Sequence, residues 1–422
     1  MSQDRIDLAV IGAGAAGLCA AIAAARARPG LRVVCLEGAR SVGAKILVSG
    51  GSRCNVTNTE VTERDFRGGS SRVVKAVLRA LPASRTVALF HEMGVALHEE
   101  SDGKLFPDTN RARTVLDALL GECARLGVEI RTGQRVTDVR REEDGVTVVT
   151  DAAHRAGAVL LATGGRSLPK SGSDGFGYEL ARRLGHGLVP TTPALVPLLL
   201  DRPFAAVSGV SHPAAITVRD GTDRHVLTGS LLWTHLGISG PVALDASRHW
   251  HRAVDAGRSP EVSVSLVPGM TFERLESHLL TAGLARPAAT LGRELGALLP
   301  ASVVEVVTRA AHVDPVTAMA HLTKQARRTA IHALVAFPLR VTGSRGYQHA
   351  EVTAGGVPLD EIDPATMESR MCPGLYLAGE ILDVDGRLGG FNFQWAWSSG
   401  WVAGTAAARR AGGNTGTVPV SG

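Results

Sequence analysis

An apolar run from Ile6 to Ile11 passes directly into Gly12-x-Gly14-x-x-Gly17 and an Ala-rich helical stretch reaching about Arg28. Pro29-Gly30 breaks that stretch, and a second apolar run leads from Leu31 to Glu37, twenty residues beyond Gly17. The order is strand, glycine turn, helix, strand and acid, which predicts a dinucleotide site on a βαβ unit. Gly12 makes the tight turn, Gly14 lets a pyrophosphate reach the backbone, and Gly17 lets the helix pack on the strand. Ala16 falls in the first helical turn, within reach of the same phosphates. Glu37 is placed to accept hydrogen bonds from the adenosine ribose, and so favours a ribose without a phosphate. NAD and FAD both satisfy this fingerprint.

The chain has 422 residues, a length that fits about three domains and a sizeable core. Leu8 to Ala25 carries no charge over 18 residues, the lower limit for a membrane helix. Twelve of the 18 are Ala or Gly and no basic start precedes them, so a soluble, unprocessed chain is expected. Cys19, Cys35, Cys54, Cys123 and Cys372 are widely spaced, with no C-x-x-C pair. This argues against a disulfide framework or a zinc site and for a reducing, cytoplasmic setting. The net charge of +5 comes with no long basic block, which makes nucleic acid a poor candidate partner.

Beyond Glu37, the Gly/Ser/Asn-rich segment Gly43 to Asn58 reads as a loop, followed by helices near Arg72–Leu81, Arg85–Met93 and Arg113–Leu126. A hairpin turning at Asp144-Gly145 joins Val136–Val139 to Val146–Val149. Ala158–Ala162 is a short buried strand and a helix starts after Gly175. Pro190, Pro193 and Pro197 mark a shift to short β-like runs, and Phe272 to about Ala336 is helical. Leu375–Ala378 is another buried strand, and a last helix runs from about Phe393 to Ala411. The predicted fold is α/β, with a first part at 1–190, a β-rich domain at 191–271 and 337–347, a helical insert at 272–336, and a return at 348–422.

Two further strands end in glycine, at Thr163-Gly164-Gly165 and at Gly379-Glu380. FAD is longer than NAD and needs such a remote half-site, so these strand ends favour FAD. Glu380 is placed to bind ribityl or phosphate-side hydroxyls, and Gly389-Gly390-Phe391-Asn392 to bring backbone N–H groups near the pyrophosphate or flavin. The last helix then directs its positive end at the pyrimidine side of the ring. The 43–58 loop offers Lys45, Gly51, Arg53, Cys54 and Asn55 to wrap phosphates or a ring. Cys54 is a weak catalytic candidate, because no second cysteine lies near it, and a packed or flavin-adjacent role fits better. His235, within Thr234-His235-Leu236-Gly237, is the other weak candidate, as proton donor or substrate ligand. His312, His321 and His332 lie beside Arg327 and Arg328 without metal-ligand spacing, so no metal is expected.

The segments IGAGAAGLCAAI, GAKILVSGGSRCNVTN, TGSLLWTHLGISGP, EVTAGGV and GLYLAGEILDVDGRLGGFNFQWAWSSGWVAG resemble the BaiN/RdsA-type family of NAD(P)/FAD-dependent oxidoreductases. These are also called aminoacetone-oxidase-like or YhiN-like flavoproteins, and the resemblance covers nearly the whole chain. It implies a Rossmann-like, two-dinucleotide-binding FAD domain, interrupted by a β-barrel-like domain that itself holds a helical insert. It also implies FAD contacts at Gly12, Gly14, Gly17, Glu37, Lys45, Val136, Glu380, Asn392 and Phe393. The activities proposed within the family are amine oxidation and reduction of unsaturated steroid-like substrates.

The leading expectation is an oxidoreductase with non-covalent FAD, whose flavin N5 accepts or delivers a hydride to or from a small organic substrate. NAD(P)H as a transient electron donor stays open, since FAD occupies the one fingerprint. An oxygen-using amine oxidase is an alternative. A tRNA-modifying type of flavoprotein is another, with Arg327, Arg328, Arg340 and Arg345 as its basic surface, although aromatics form only 4% of the chain. A flavin-bound scaffold without turnover is a third. Substrate, catalytic acid or base and oligomeric state are not legible in the residues.

Overall fold

The computed structural model describes residues 5–143, 145–202 and 204–413. The chain divides into two compact units, 1–192 with 351–422, and 193–350. The first unit begins β1 (Ile6–Ile11), α1 (Ala15–Ala27), β2 (Val33–Leu36), α2 (Ala44–Ser52), β3 (Thr57–Asn58), β4 (Phe66–Gly68), α3 (Ser71–Ala80) and α4 (Ala83–Glu92). It continues with β5 (Leu97–Glu100), β6 (Lys104–Pro107), α5 (Ala112–Arg125), β7 (Glu129–Arg131), β8 (Asp138–Glu142), β9 (Gly145–Val149), β10 (Ala153–Leu161), α6 (Phe176–Arg183) and β11 (Val189–Ala194).

The second unit contains β12 (Leu198–Leu200), β13 (Ser211–Asp220), β14 (Asp223–Trp233), β15 (Gly237–Ser239), α7 (Pro241–Asp255) and β16 (Glu261–Ser265). Four helices follow, α8 (Phe272–Ala285), α9 (Leu291–Leu295), α10 (Ala301–Ala310) and α11 (Lys324–Val335), then β17 (Phe337–Leu339) and β18 (Val341–Ser344). The chain returns to the first unit as β19 (Val352–Gly356), β20 (Leu375–Leu377), β21 (Val384–Gly386) and α12 (Phe391–Gly413).

The main sheet of the first unit has the order β7-β2-β1-β10-β9-β8, with β20 also on β10. β7, β2, β1, β10 and β20 are parallel, and β8 and β9 form the expected hairpin, Glu142 opposite Gly145. Asp144, in its turn, lies outside the described residues. Leu8, Ala9 and Val10 have no exposed surface, as a parallel strand covered on both faces requires. β10 is longer than expected because its first residues pair antiparallel with β9 before the strand runs beside β1.

The Ala/Gly richness of α1 has a packing cause. A Cβ at Gly400 would stand 2.5 Å from the Ala16 carbonyl oxygen, and one at Gly404 would stand 2.0 Å from that of Ala20. α12 therefore rests on α1 backbone to backbone, and only small residues permit that approach. Among the described residues no helix is long and apolar enough to cross a membrane.

Two local expectations change. The 43–58 segment is not all loop, because Gly43 at φ +68 starts α2, which buries Ile46 and kinks at Ser49 before Gly50 and Gly51. α12 begins at Phe391 rather than about Phe393, since Gly389 and Gly390, both with positive φ, end the preceding turn.

In the second unit a seven-stranded sheet runs β17-β16-β13-β14-β15-β12-β18. Its two outer strands, β17 and β18, are separated in the chain by Arg340 alone, so the sheet must curl until its edges meet. That is the barrel-like form. Val262 and Val264 of the sheet share one hydrophobic core with Leu275, Leu295, Val303 and Ile331 of the helices.

Candidate functional site

Gly12, at φ +98, donates to the Leu36 carbonyl at 2.9 Å and turns the chain off β1. A Cβ on Gly17 would stand 1.9 Å from the Gly12 oxygen, so the turn closes only around glycine. Gly14 differs, because no atom lies within 4 Å of where its Cβ would be. The first-turn N–H groups of α1 have no partner within the helix, and the room beside Gly14 leaves a place for a phosphate. The Glu37 carboxylate accepts from Ala13 N and Ala39 N, both at 2.9 Å, which fixes it beside this turn. Gln134 N donates to the Glu37 carbonyl and Gly133 N to that of Ala39, which brings the segment carrying Val136 alongside. Gly172 also approaches Glu37. Ala16 packs beneath Gly379 and Gly400, so its backbone alone is available to a ligand.

At the ends of β10 and β20 a second cluster assembles. Lys45 from α2 pairs with Glu380 at 2.6 Å and donates to Ser167 Oγ at 2.7 Å. Ser167 Oγ and Thr353 N both donate to the other Glu380 oxygen, at 2.7 and 2.9 Å. The Thr353 hydroxyl accepts from Arg166 N and Ser167 N, fixing the turn after Thr163-Gly164-Gly165. Gly379 is held by Ser399 Oγ and by Trp395 Nε1. Lys45, Thr163, Gly164, Gly379 and Glu380 thus converge. Ser167 and Thr353 escaped the sequence reading, although Thr353 lies in the EVTAGGV segment.

A third cluster forms at the start of α12. A Cβ on Gly390 would stand 2.5 Å from Thr57 O and 2.9 Å from Asn55 Oδ1. Asn58 Nδ2 donates to Gly389 O at 3.1 Å, Thr57 to Gln394 at 2.6 Å, and Trp397 Nε1 to Val56 O at 2.9 Å. The segment after α2 is therefore fastened to the helix N-terminus. The Asn392 amide bonds both N and O of Gly386, leaving its backbone for a cofactor, and Phe393 stacks on Trp397. Gly51 sits in the exposed kink of α2, and Arg53 pairs with Glu100 while lying 4.1 Å over the Phe106 ring.

The two weak catalytic candidates, Cys54 and His235, belong to different units. Cys54 is fully buried, and burial pushes its thiol up to about 12. Burial of this kind disfavours the thiolate and is in keeping with a packed side chain. His235 is exposed in the turn between β14 and β15 of the second unit. Two of the four arginines expected to form a basic surface are engaged within that unit, Arg327 with Glu276 and Arg328 over the Phe272 ring. Among the described residues no group of three or more His, Cys, Asp or Glu could hold a metal.

These residues fit FAD. Asn55 Oδ1 and Thr163 Oγ1 are buried without a hydrogen-bond partner in the chain, and polar atoms of that kind call for a ligand donor or acceptor. Open space at Gly14 and the N-terminus of a 23-residue helix suit the phosphates and the electron-rich ring edge.

Comparison with known proteins agrees. Residues 6–406 match the family described as HI0933-like protein Rossmann domain. The chain is 36% identical over 406 residues to a ribosomal RNA dihydrouridine synthase of Escherichia coli, covering 95% of this chain and 97% of that protein. It is 35% identical over 408 residues to a 3-dehydro-bile acid delta(4,6)-reductase of Clostridium scindens, covering 96% and 99%. Among solved structures, the quinol fumarate reductase FrdA of E. coli shares the fold, with a TM-score of 0.52, 21% identity, and coverage of 99% of this chain and 72% of that one.

Proposed function

Because the chain belongs to the HI0933-like family and is a FAD-dependent oxidoreductase, we propose that it reduces a carbon–carbon double bond conjugated to a carbonyl. The carrying observation is that two relatives of nearly equal identity, each matched along almost its whole length, are named for different substrates but one transformation. Dihydrouridine is uridine with such a bond saturated, and a delta(4,6)-reductase acting on a 3-dehydro bile acid does the same to an enone.

Bound FAD supplies hydride transfer. The chain's part is positioning and electrostatics. The first turn of α1 holds the pyrophosphate and Glu37 the ribose. Lys45, Ser167 and Glu380 form a pre-set polar cluster at the ribityl end, and Gly164 and Gly379 allow close backbone approach. The N-terminus of α12 raises the potential at the pyrimidine edge, favouring electron uptake there by about 0.3–2 kcal/mol. With Cys54 buried, no thiol of this loop takes part in covalent chemistry.

NAD(P)H as the electron source belongs to the same proposal. An RNA substrate is the second reading. It draws on the dihydrouridine synthase likeness and on Arg340 and Arg345, which are exposed. The test is anaerobic: holoenzyme with NADH or NADPH is offered a uridine-containing ribosomal RNA transcript or a 3-oxo-4,6-diene bile acid. The expected result is bleaching of the flavin by a nicotinamide and a product two mass units heavier. Bleaching only by a primary amine, with peroxide formed in air, would replace this reading with an oxidase.

A further inference from the structure

We infer that Asn55 recognises the pyrimidine edge of the isoalloxazine ring, its Oδ1 accepting from the ring N3–H. This deepens the FAD reading and rests on it. A helix N-terminus alone attracts electron density of many kinds, so the start of α12 does not by itself define what binds there. Asn55 adds the specific feature. The residue is 9% exposed, and its Oδ1 has no hydrogen-bond partner.

Its position is fixed by its surroundings. Oδ1 lies against Gly390, the residue that leads into α12, while Thr57 and Asn58 bind Gln394 and Gly389 of the same corner. A buried carboxamide oxygen without a donor is costly to keep, so the site is complete only when a ligand brings one. The oxidised isoalloxazine ring carries a single N–H donor, N3, flanked by two carbonyl acceptors. Those acceptors match the N–H groups of the first turn of α12, and the lone donor matches Asn55 Oδ1. Glycine at 390 is then required twice, for its positive φ of 92° and because a Cβ would press on Asn55 and Thr57.

The experiment measures dissociation constants of FAD and N3-methyl-FAD from the full-length apoprotein, wild type and Asn55→Ala. Wild type is expected to bind the methylated analogue at least about 10-fold more weakly, and Asn55→Ala to bring the two ligands within about threefold. If Asn55→Ala does not fold, Asn55→Asp serves in its place. It keeps the acceptor and the discrimination, and lowers the midpoint potential of the bound flavin by setting a negative charge at the ring edge. Equal affinity for the two ligands in wild type overturns the inference, as does undiminished discrimination in Asn55→Ala or an unmoved potential in Asn55→Asp. Failure of folded wild type to bind FAD at all is a different result, and removes the FAD site itself.

Discussion

The glycine-led edge of the first unit and the core of the second use polar atoms in opposite ways. In the second unit, Trp233 Nε1 donates to His212 Nε2 at 3.0 Å while His212 Nδ1 donates to Pro213 O at 2.9 Å, so a buried imidazole is satisfied on both sides by the chain. At the edge of the first unit, the atoms Asn55 Oδ1 and Thr163 Oγ1 are also buried but have no such partners. The contrast is between buried polarity closed within the chain, which holds the fold, and polarity left unpaired beside glycine turns and helix N-termini, which is available to a ligand.

Substitutions can break that distinction or sharpen it. Gly404→Ala has the largest expected effect. Its Cβ would meet the Ala20 backbone, which cannot rotate aside, so thermal unfolding should register a loss of about 3 kcal/mol. Normal stability of this variant would mean that α1 and α12 are not in backbone contact.

Two charged pairs of the first unit provide the next contrast. Glu122 is 7% exposed, and hydrogen bonds from Arg125 and then Arg26 hold its carboxyl down to about 2. Its folded value lies below its ordinary 4.5, so its contribution is complete above pH 4.5 and is lost as pH falls towards 2. Glu122→Gln should cost about 2 kcal/mol at pH 7, a figure reduced because Arg125 is largely exposed, and leave FAD affinity unchanged. Lys45→Met should differ by weakening FAD about 10-fold as well as lowering the melting temperature, because it strips Glu380 of its cation inside the site. Equal effects of both variants on FAD binding would erase the division between structural and ligand-facing charge.

Trp233→Phe is the mildest. It removes the donor to His212 and should cost about 1 kcal/mol, read by denaturant unfolding, with no effect on FAD. Burial lowers the His212 value below 6.5, so the stability that neutral His212 contributes is complete above pH 6.5 and declines as pH falls through the folded value. Wild type and variant should therefore converge as the solution is acidified.

Much of the first unit was legible because its signals are local. The strand, the Gly12–Gly17 turn, the Ala-rich helix and Glu37 lie within 37 residues, and Gly12 and Gly17 each have a nearby steric reason. Gly379-Glu380 and the two glycines before Phe391 were legible for the same cause. The joining of Lys45 to Glu380, 335 positions apart, was not, because an ion pair depends on tertiary placement that no periodicity encodes. Ser167 and Thr353 were missed since one hydroxyl in a turn looks like any other. The open Asn55 oxygen is visible only once every donor around it has been placed. The 43–58 segment misled in the other direction, because its glycines outweighed the short helix that Gly43 begins.

Gly14 offers the most direct test of the site, since a Cβ there has no protein atom within 4 Å beyond its chain neighbours and its φ of −84° suits any residue. Titrating folded apoprotein carrying Gly14→Val with FAD should show affinity reduced at least about 100-fold beside a melting temperature like that of wild type. Wild-type affinity in Gly14→Val would place the cofactor elsewhere and contradict the site described here.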